Sequence, residues 1–160
     1  IRQENIAKNT NKNEESKTSL KMIYDKEESI IRNLLTFKSA TYQKVYEDSN
    51  DFAETYPFIP YQFKLLQDVF TDIRKHGYAG KHLSSGERSL LGAFQETAKR
   101  YGNSEVGTII PFYAFYDTIE QFLEQKVKIV IKSAIDTVQS GELKAIDIKV
   151  LKMLFMLKNI

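Results

Sequence analysis

"YPFIPYQFKLLQDVF", residues 56–70, holds two prolines three positions apart among aromatics and then enters an apolar repeat of helical period. Pro57 and Pro60 each fix φ and push Tyr56 and Ile59 toward extended backbone. Pro60 sits where a first helical residue tolerates a missing N–H. Phe63, Leu66, Phe70 and Ile73 then share one helical face with Val69 beside them, while Lys64, Gln67, Asp68 and Asp72 lie elsewhere. Gly77 ends the helix near His76. Tyr56, Pro57 and Pro60 therefore read as a stiff elbow that delivers an amphipathic helix at a set angle.

The next strong signal downstream is "SSGERSLLGAF", residues 84–94. Ser84 and Glu87 make an S-x-x-E capping box, in which the serine oxygen accepts from the residue-87 amide and the carboxylate reaches back. Leu90, Leu91, Phe94, Ala98 and Tyr101 form the apolar stripe of the helix that follows, and Gly102 ends it. Arg88 lies off that stripe, on the side of Gly92, Gln95 and Lys99. Pro111 opens the most regular apolar period of the chain, from Phe112, Phe115, Tyr116, Ile119, Phe122 and Leu123 through Val127, Val130, Ile131, Ala134, Ile135 and Val138. The pattern predicts one long helix over 111–140, or two joined by a kink. Phe112, Phe115, Ile119 and Phe122 are expected to form a buried stripe against the helices begun by Pro60 and Ser84. A last helix over about 145–158 is apolar on most sides. Ile148, Leu151, Leu154, Phe155 and Leu157 cannot share one narrow stripe, so it is expected to expose an apolar patch or to bury it by self-association.

Upstream, Leu20, Ile23, Tyr24, Glu27, Ile30, Ile31 and Leu34 recur at helical spacing and predict a helix over about 17–36. Residues 37–55 are mixed, with a short helix around 50–54 that Ser49 or Asn50 caps. Residues 1–19 are polar and read as a frayed helix or loop. The fold class is all-α, a bundle of about five helices without internal repeat. Residues 20–160 form one domain, which the start at Ile1 and the apolar end suggest is truncated at both ends.

Composition bounds the function. A chain of 160 residues with 42% hydrophobic and 28% charged residues can build a real core. With 23 Lys and Arg against 21 Asp and Glu, the net charge of +2 is too balanced for a dedicated nucleic-acid binder. There is no Cys, which excludes disulfides and thiolate metal sites and fits the cytoplasm. No apolar run approaches a membrane span, and no signal peptide is visible.

Chemistry-bearing patterns are sparse. Gly77, Gly80 and Lys81 hint at a phosphate loop, but the glycines are too close, residue 82 is His, and a helix precedes them. An interhelical turn is the simpler reading. His76 and His82 lack the spacing and company of metal ligands. The carboxylates at 117, 120 and 124 read as a solvated helix face, and no nucleophile motif is present. Lys126, Lys128, Lys132, Lys144, Lys149 and Lys152 make the last third modestly basic, as solvated helices often are.

Three stretches taken in order, "DFAETYPFIPYQFKLLQDVF", "GKHLSSGERSLLGAFQETAKRY" and "IIPFYAFYDTIEQFL", closely resemble part of the large P-loop ATPase of BREX phage-defence systems, the type called BrxC or PglY. The similarity covers about Leu20 to the end of the chain. It is similar to the region after the ATPase core, where related AAA+ proteins carry a helical lid. The resemblance implies a parent that binds ATP and Mg²⁺, hydrolyses ATP in bacterial defence and works in the cytoplasm. It also implies contacts with the rest of the parent, with neighbouring subunits or other BREX proteins, and with DNA through the parent, but none with a membrane. Walker motifs are expected upstream of Ile1. No cofactor is expected on this chain, and no catalytic residue.

By the same resemblance Arg88 matches an arginine that faces nucleotide or a neighbouring subunit; read from its own surroundings it is a surface salt-bridge residue. A lid is expected to expose Arg88 and the 56–60 elbow on one surface. A non-enzymatic helical adaptor that binds protein or DNA, the other reading, is expected to show a continuous basic groove.

Overall fold

The computed structural model describes residues 2–36, 44–76, 86–139, 141, 143–158 and 160, with the side chains of 2–12, 86–88, 122, 127 and 139 outside the description. Among the described residues the fold is all-α, with no strand. Its helices are α1 (Arg2–Leu35), α2 (Ser49–Thr55), α3 (Pro60–Lys75), α4 (Gly86–Arg100), α5 (Tyr116–Ile119), α6 (Gln125–Gln139) and α7 (Ala145–Leu157). Two 3₁₀ turns, Phe112–Phe115 and Glu120–Phe122, flank α5. Seven α-helices replace the expected five or so, and the difference comes mainly from residues 111–140.

No continuous helix spans that segment. Leu123 takes φ −82° and ψ 150°, an extended conformation that separates the 3₁₀–α–3₁₀ coil from α6. Phe112, Ala114, Phe115, Tyr116, Thr118, Ile119 and Leu123 are all buried. Those positions span roughly 200° of an α-helical wheel, a broad single face that a helix and the coil bury alike, so their pattern does not demand the break at Leu123. The segment's aromatic and β-branched residues are mediocre helix formers, which favours the tighter coil.

The chain divides into two compact units, residues 1–63 with 104–109, and residues 64–103 with 110–160. In the first, α1 packs on α2 around Tyr24, Tyr46, Phe52 and Ile59. The Phe52 ring meets Tyr46 edge-on at 4.9 Å and Tyr24 at 5.3 Å, separations at which aromatic pairs add to simple burial. Leu20, Ile31 and Leu35 pack against this cluster from α1. Ile30 and Leu34, from the same expected stripe, are exposed. The helix reaches back to Arg2, through the segment read as frayed helix or loop. Asp48 caps α2 by accepting from the Asp51 N–H at 2.8 Å, and that hydrogen bond holds its carboxyl below the usual range.

In the second unit, Leu65, Leu66, Val69, Phe70 and Ile73 form the buried face of α3. Phe94 of α4 meets Phe115 edge-on at 5.0 Å, and Phe115 lies 5.5 Å from Phe112. The coil thus packs on α4, as expected, and also on α7. α6 packs on α7 with Ile131 and Met156 buried. Asp147 accepts from the Lys144 N–H at 2.8 Å and caps α7. As the sequence predicts, α7 exposes an apolar face, at Ile146, Val150 and Leu154. No described helix is long and apolar enough to cross a membrane.

Candidate functional site

The elbow is held from several directions. Tyr56 closes α2 in extended conformation, its N–H bonded to the Phe52 carbonyl at 2.9 Å, and the Tyr56–Pro57 peptide is cis. The buried Phe58 donates its N–H to the Thr55 carbonyl at 3.0 Å and accepts from the Tyr46 hydroxyl at 3.0 Å. Burial pushes the Tyr46 phenol strongly upward. The Tyr56 hydroxyl accepts from the Gly107 N–H at 3.0 Å. Gly107 has φ +96°, which favours glycine, and a Cβ there would lie 3.4 Å from Ile23.

Gln62 completes the elbow, and sequence reasoning missed it. Its side-chain oxygen accepts from the Ile59 N–H at 3.1 Å, while the Ile59 carbonyl accepts from the Gln62 N–H at 2.9 Å. This is the reaching-back half of a capping box, with Ile59 before Pro60 and a glutamine at the third helical position. The signal was the Gln three residues after Ile59; its neighbour Phe63, read as core, is 40% exposed, whereas Gln62 is fully buried. Gln62→Ala should cost about 1–3 kcal/mol, because it leaves the Ile59 N–H buried without an acceptor. Urea unfolding would measure this, and a loss below about 0.5 kcal/mol would show that the amide finds another partner. Phe58, Ile59 and Pro60 are buried, so the elbow is not the exposed surface expected of a lid.

Arg88 and Glu87 lie in the first turn of α4, with side chains outside the described residues; Ser84 lies outside them altogether, as do Gly77–Lys81 and His82. His76 closes α3 and pairs with Asp72 at 2.7 Å. No cluster of His, Cys, Asp and Glu among the described residues could hold a metal.

The carboxylate row proves to be more than a solvated face. Asp117 pairs with Lys152 of α7 and stands 3.7 Å from Arg100 of α4, which also donates to the Asp117 carbonyl at 3.2 Å. Lys152 has only 15% of its side chain exposed and lies over the Tyr116 ring at 5.4 Å; Lys149 lies over Tyr113 at 5.2 Å. Two of the lysines read as solvated are thus spent on internal contacts. Beneath them the Thr97 and Thr118 hydroxyls, both buried, share a hydrogen bond of 2.8 Å between α4 and α5. Tyr101 is pushed up to about 12 by burial and by Tyr113 beside it, and burial drives Tyr116 strongly upward. Glu124 pairs with Lys126 at 2.7 Å.

In the same unit, α6 and α7 leave a groove of about 490 Å³ between them. Val130, Ile131, Leu151, Leu154 and Phe155 form its floor, with Lys126 and Lys158 at its edge. It is an apolar groove with basic edges, not the continuous basic groove expected of an adaptor that binds protein or DNA. No protein-family model matches the chain, and no solved structure matches it.

Proposed function

We propose that the chain is the helical lid or linker region of a large AAA+-like ATPase of a bacterial BREX phage-resistance system. There it would couple nucleotide state to contacts with neighbouring subunits or downstream domains. The observation that carries this reading is the work done by the three stretches that bear the resemblance. The first and third build stiff helix junctions, the second supplies α4, and among the described residues none assembles a reacting group. "YPFIPYQ" is clamped through Tyr46 and Gln62, "GERSLL" opens α4, and "PFYAFYDTIEQF" is tied to its neighbours through Thr118 and Asp117. Stiff junctions pass on a rigid-body displacement, as a region that responds to nucleotide must.

The chain contains no Walker A pattern, so ATP and Mg²⁺ belong to the core of the parent, as do any DNA contacts and the cytoplasmic setting. Arg88, in the first turn of α4, is the residue assigned to nucleotide or to a neighbouring subunit. A cation at a helix N-terminus is mildly unfavourable, and a planar five-donor fork suits phosphate oxygens. Arg88→Ala is expected to leave the unfolding of this chain within about 0.5 kcal/mol of wild type and to lower ATP turnover and phage protection in the intact parent. Unchanged turnover would return Arg88 to the surface, and an unfolded variant would make it structural. The isolated chain should hydrolyse no ATP; turnover abolished by a point substitution within it would overturn the reading.

A non-enzymatic helical adaptor binding protein or DNA is the second reading; the apolar groove of α6 and α7 lacks the basic continuity expected of it and suits its protein-binding form alone. A parent that binds its partners through this region but turns over no ATP would select it.

A further inference from the structure

The groove between α6 and α7 has a shape and a charge that restrict what can occupy it. Lys126, Val130 and Ile131 from the first half of α6 and Leu151, Leu154, Phe155 and Lys158 from the end of α7 line the same groove, so the two helices run antiparallel and the groove lies at one end of the pair. Val130 and Leu154 are each 61% exposed. A small molecule lying there would remain open to water along one side, whereas ligand pockets enclose most of their ligand. A bilayer meets convex apolar surfaces, and this one is concave. A third helix, packed along two antiparallel ones, covers such a floor by ordinary ridge-and-groove contact.

Charge decides the chemistry of that helix. Residues 125–158 hold seven lysines and three acidic residues, an excess of four in a chain whose net charge is +2. Lys126, paired with the half-buried Glu124, and Lys158, over the Phe155 ring at 5.0 Å, place two of those lysines on the border of the apolar floor. Duplex nucleic acid would use the lysines and leave the five apolar side chains of the floor against phosphate and water, which disfavours it.

We infer that the α6–α7 groove is a docking site for an acidic amphipathic helix from another polypeptide segment, with apolar side chains at i, i+3/i+4 and i+7 on the floor and carboxylates beside Lys126 and Lys158. The inference stands whether or not the parent hydrolyses ATP. Exposed rim charges exchange partners readily and set selectivity and salt dependence, while the apolar floor supplies the holding force.

The test uses the whole chain and a fluorescent designed peptide of about 18 residues, leucine on one face and glutamate on both flanks, with a lysine-flanked twin. Fluorescence anisotropy should show the glutamate peptide binding at least about tenfold tighter than its twin, more weakly at high salt, and not at all to Leu154→Asp. The double variant Lys126→Glu/Lys158→Glu should reverse the preference between the peptides. Equal binding of both peptides, or undiminished binding to a folded Leu154→Asp, overturns the inference. So does saturation of the groove by a second copy of the chain, seen as self-association that Leu154→Asp abolishes. Binding only to duplex DNA or to phosphatidylglycerol vesicles overturns it as well. If circular dichroism shows Leu154→Asp unfolded, the exposed lysine pair decides alone.

Discussion

Phe115→Ala should destabilise the second unit by about 3–5 kcal/mol, the range for emptying a fully buried aromatic site. Phe115 has no exposed surface and ends the first 3₁₀ turn, its ring edge-on to Phe94 at 5.0 Å and 5.5 Å from Phe112. Truncation leaves a cavity between the coil and α4, and the coil cannot close over it. Its backbone is fixed on both sides, by the Ala114 N–H to the Pro111 carbonyl at 3.0 Å and by the buried Thr97–Thr118 pair. Urea unfolding followed by far-ultraviolet circular dichroism gives the loss directly. Leu91→Ala, at a residue 61% exposed on α4, is the control and should stay within about 0.5 kcal/mol of wild type. A Phe115→Ala loss below about 1 kcal/mol would mean that the coil collapses onto the cavity after all.

Alkaline unfolding above pH 10 is the second large effect. Burial raises the phenols of Tyr24, Tyr46 and Tyr61 in the first unit and of Tyr101 and Tyr116 in the second above the ordinary value of 10.0. A group whose folded pKa is raised holds its proton more tightly in the native state. The stability it contributes is fully present below pH 10 and is lost as pH climbs from there through the folded value. Tyr46 adds a further penalty, because its hydroxyl must donate to the Phe58 carbonyl and a phenolate cannot. Stability should therefore be flat up to about pH 10 and then fall. Absorbance of ionised tyrosine and loss of helix should rise together in a cooperative step. Tyrosines that all titrate at the ordinary value while the helices persist would show that these rings are reached by water.

Helical period made α3, α4 and α7 legible as helices, though on α4 the buried face is Ala93, Phe94 and Thr97, and Leu91 of the expected stripe is exposed. The elbow was legible too, because proline acts on its own backbone and on the residue before it. The period misleads at residues 111–124. A helix and a 3₁₀–α–3₁₀ coil over these residues bury the same broad face, so composition and period do not separate them. Only the β-region exit at Leu123, which no residue type there demands, distinguishes them. Asp117 was beyond reach for another reason. Its partner Lys152 is 35 residues away, and sequence spacing along one helix cannot pair it with a different one. The same holds for Lys149 on Tyr113. Gln62 could have been found: its buried side chain answers the Ile59 N–H within a single turn, but a polar residue flanked by Tyr61 and Phe63 reads as the solvent side. Arg88, the one residue assigned to chemistry, rests on the resemblance alone.

The hydrogen bond from Gly107 to Tyr56 spans 51 residues, and most of the intervening chain, 64–103, belongs to the other unit. The first unit is therefore discontinuous along the chain. During synthesis from the N-terminus it cannot be finished when residue 63 leaves the ribosome; it waits for 104–109, while the segment that will begin the second unit emerges in between. Closing so long a loop carries an entropic toll that local helix pairing, such as α6 on α7, does not. Neither unit can be moved into another protein by a single cut and splice. A transfer that keeps the first unit whole has to carry 1–109 together and so takes α3 and α4 with it, dividing the second unit.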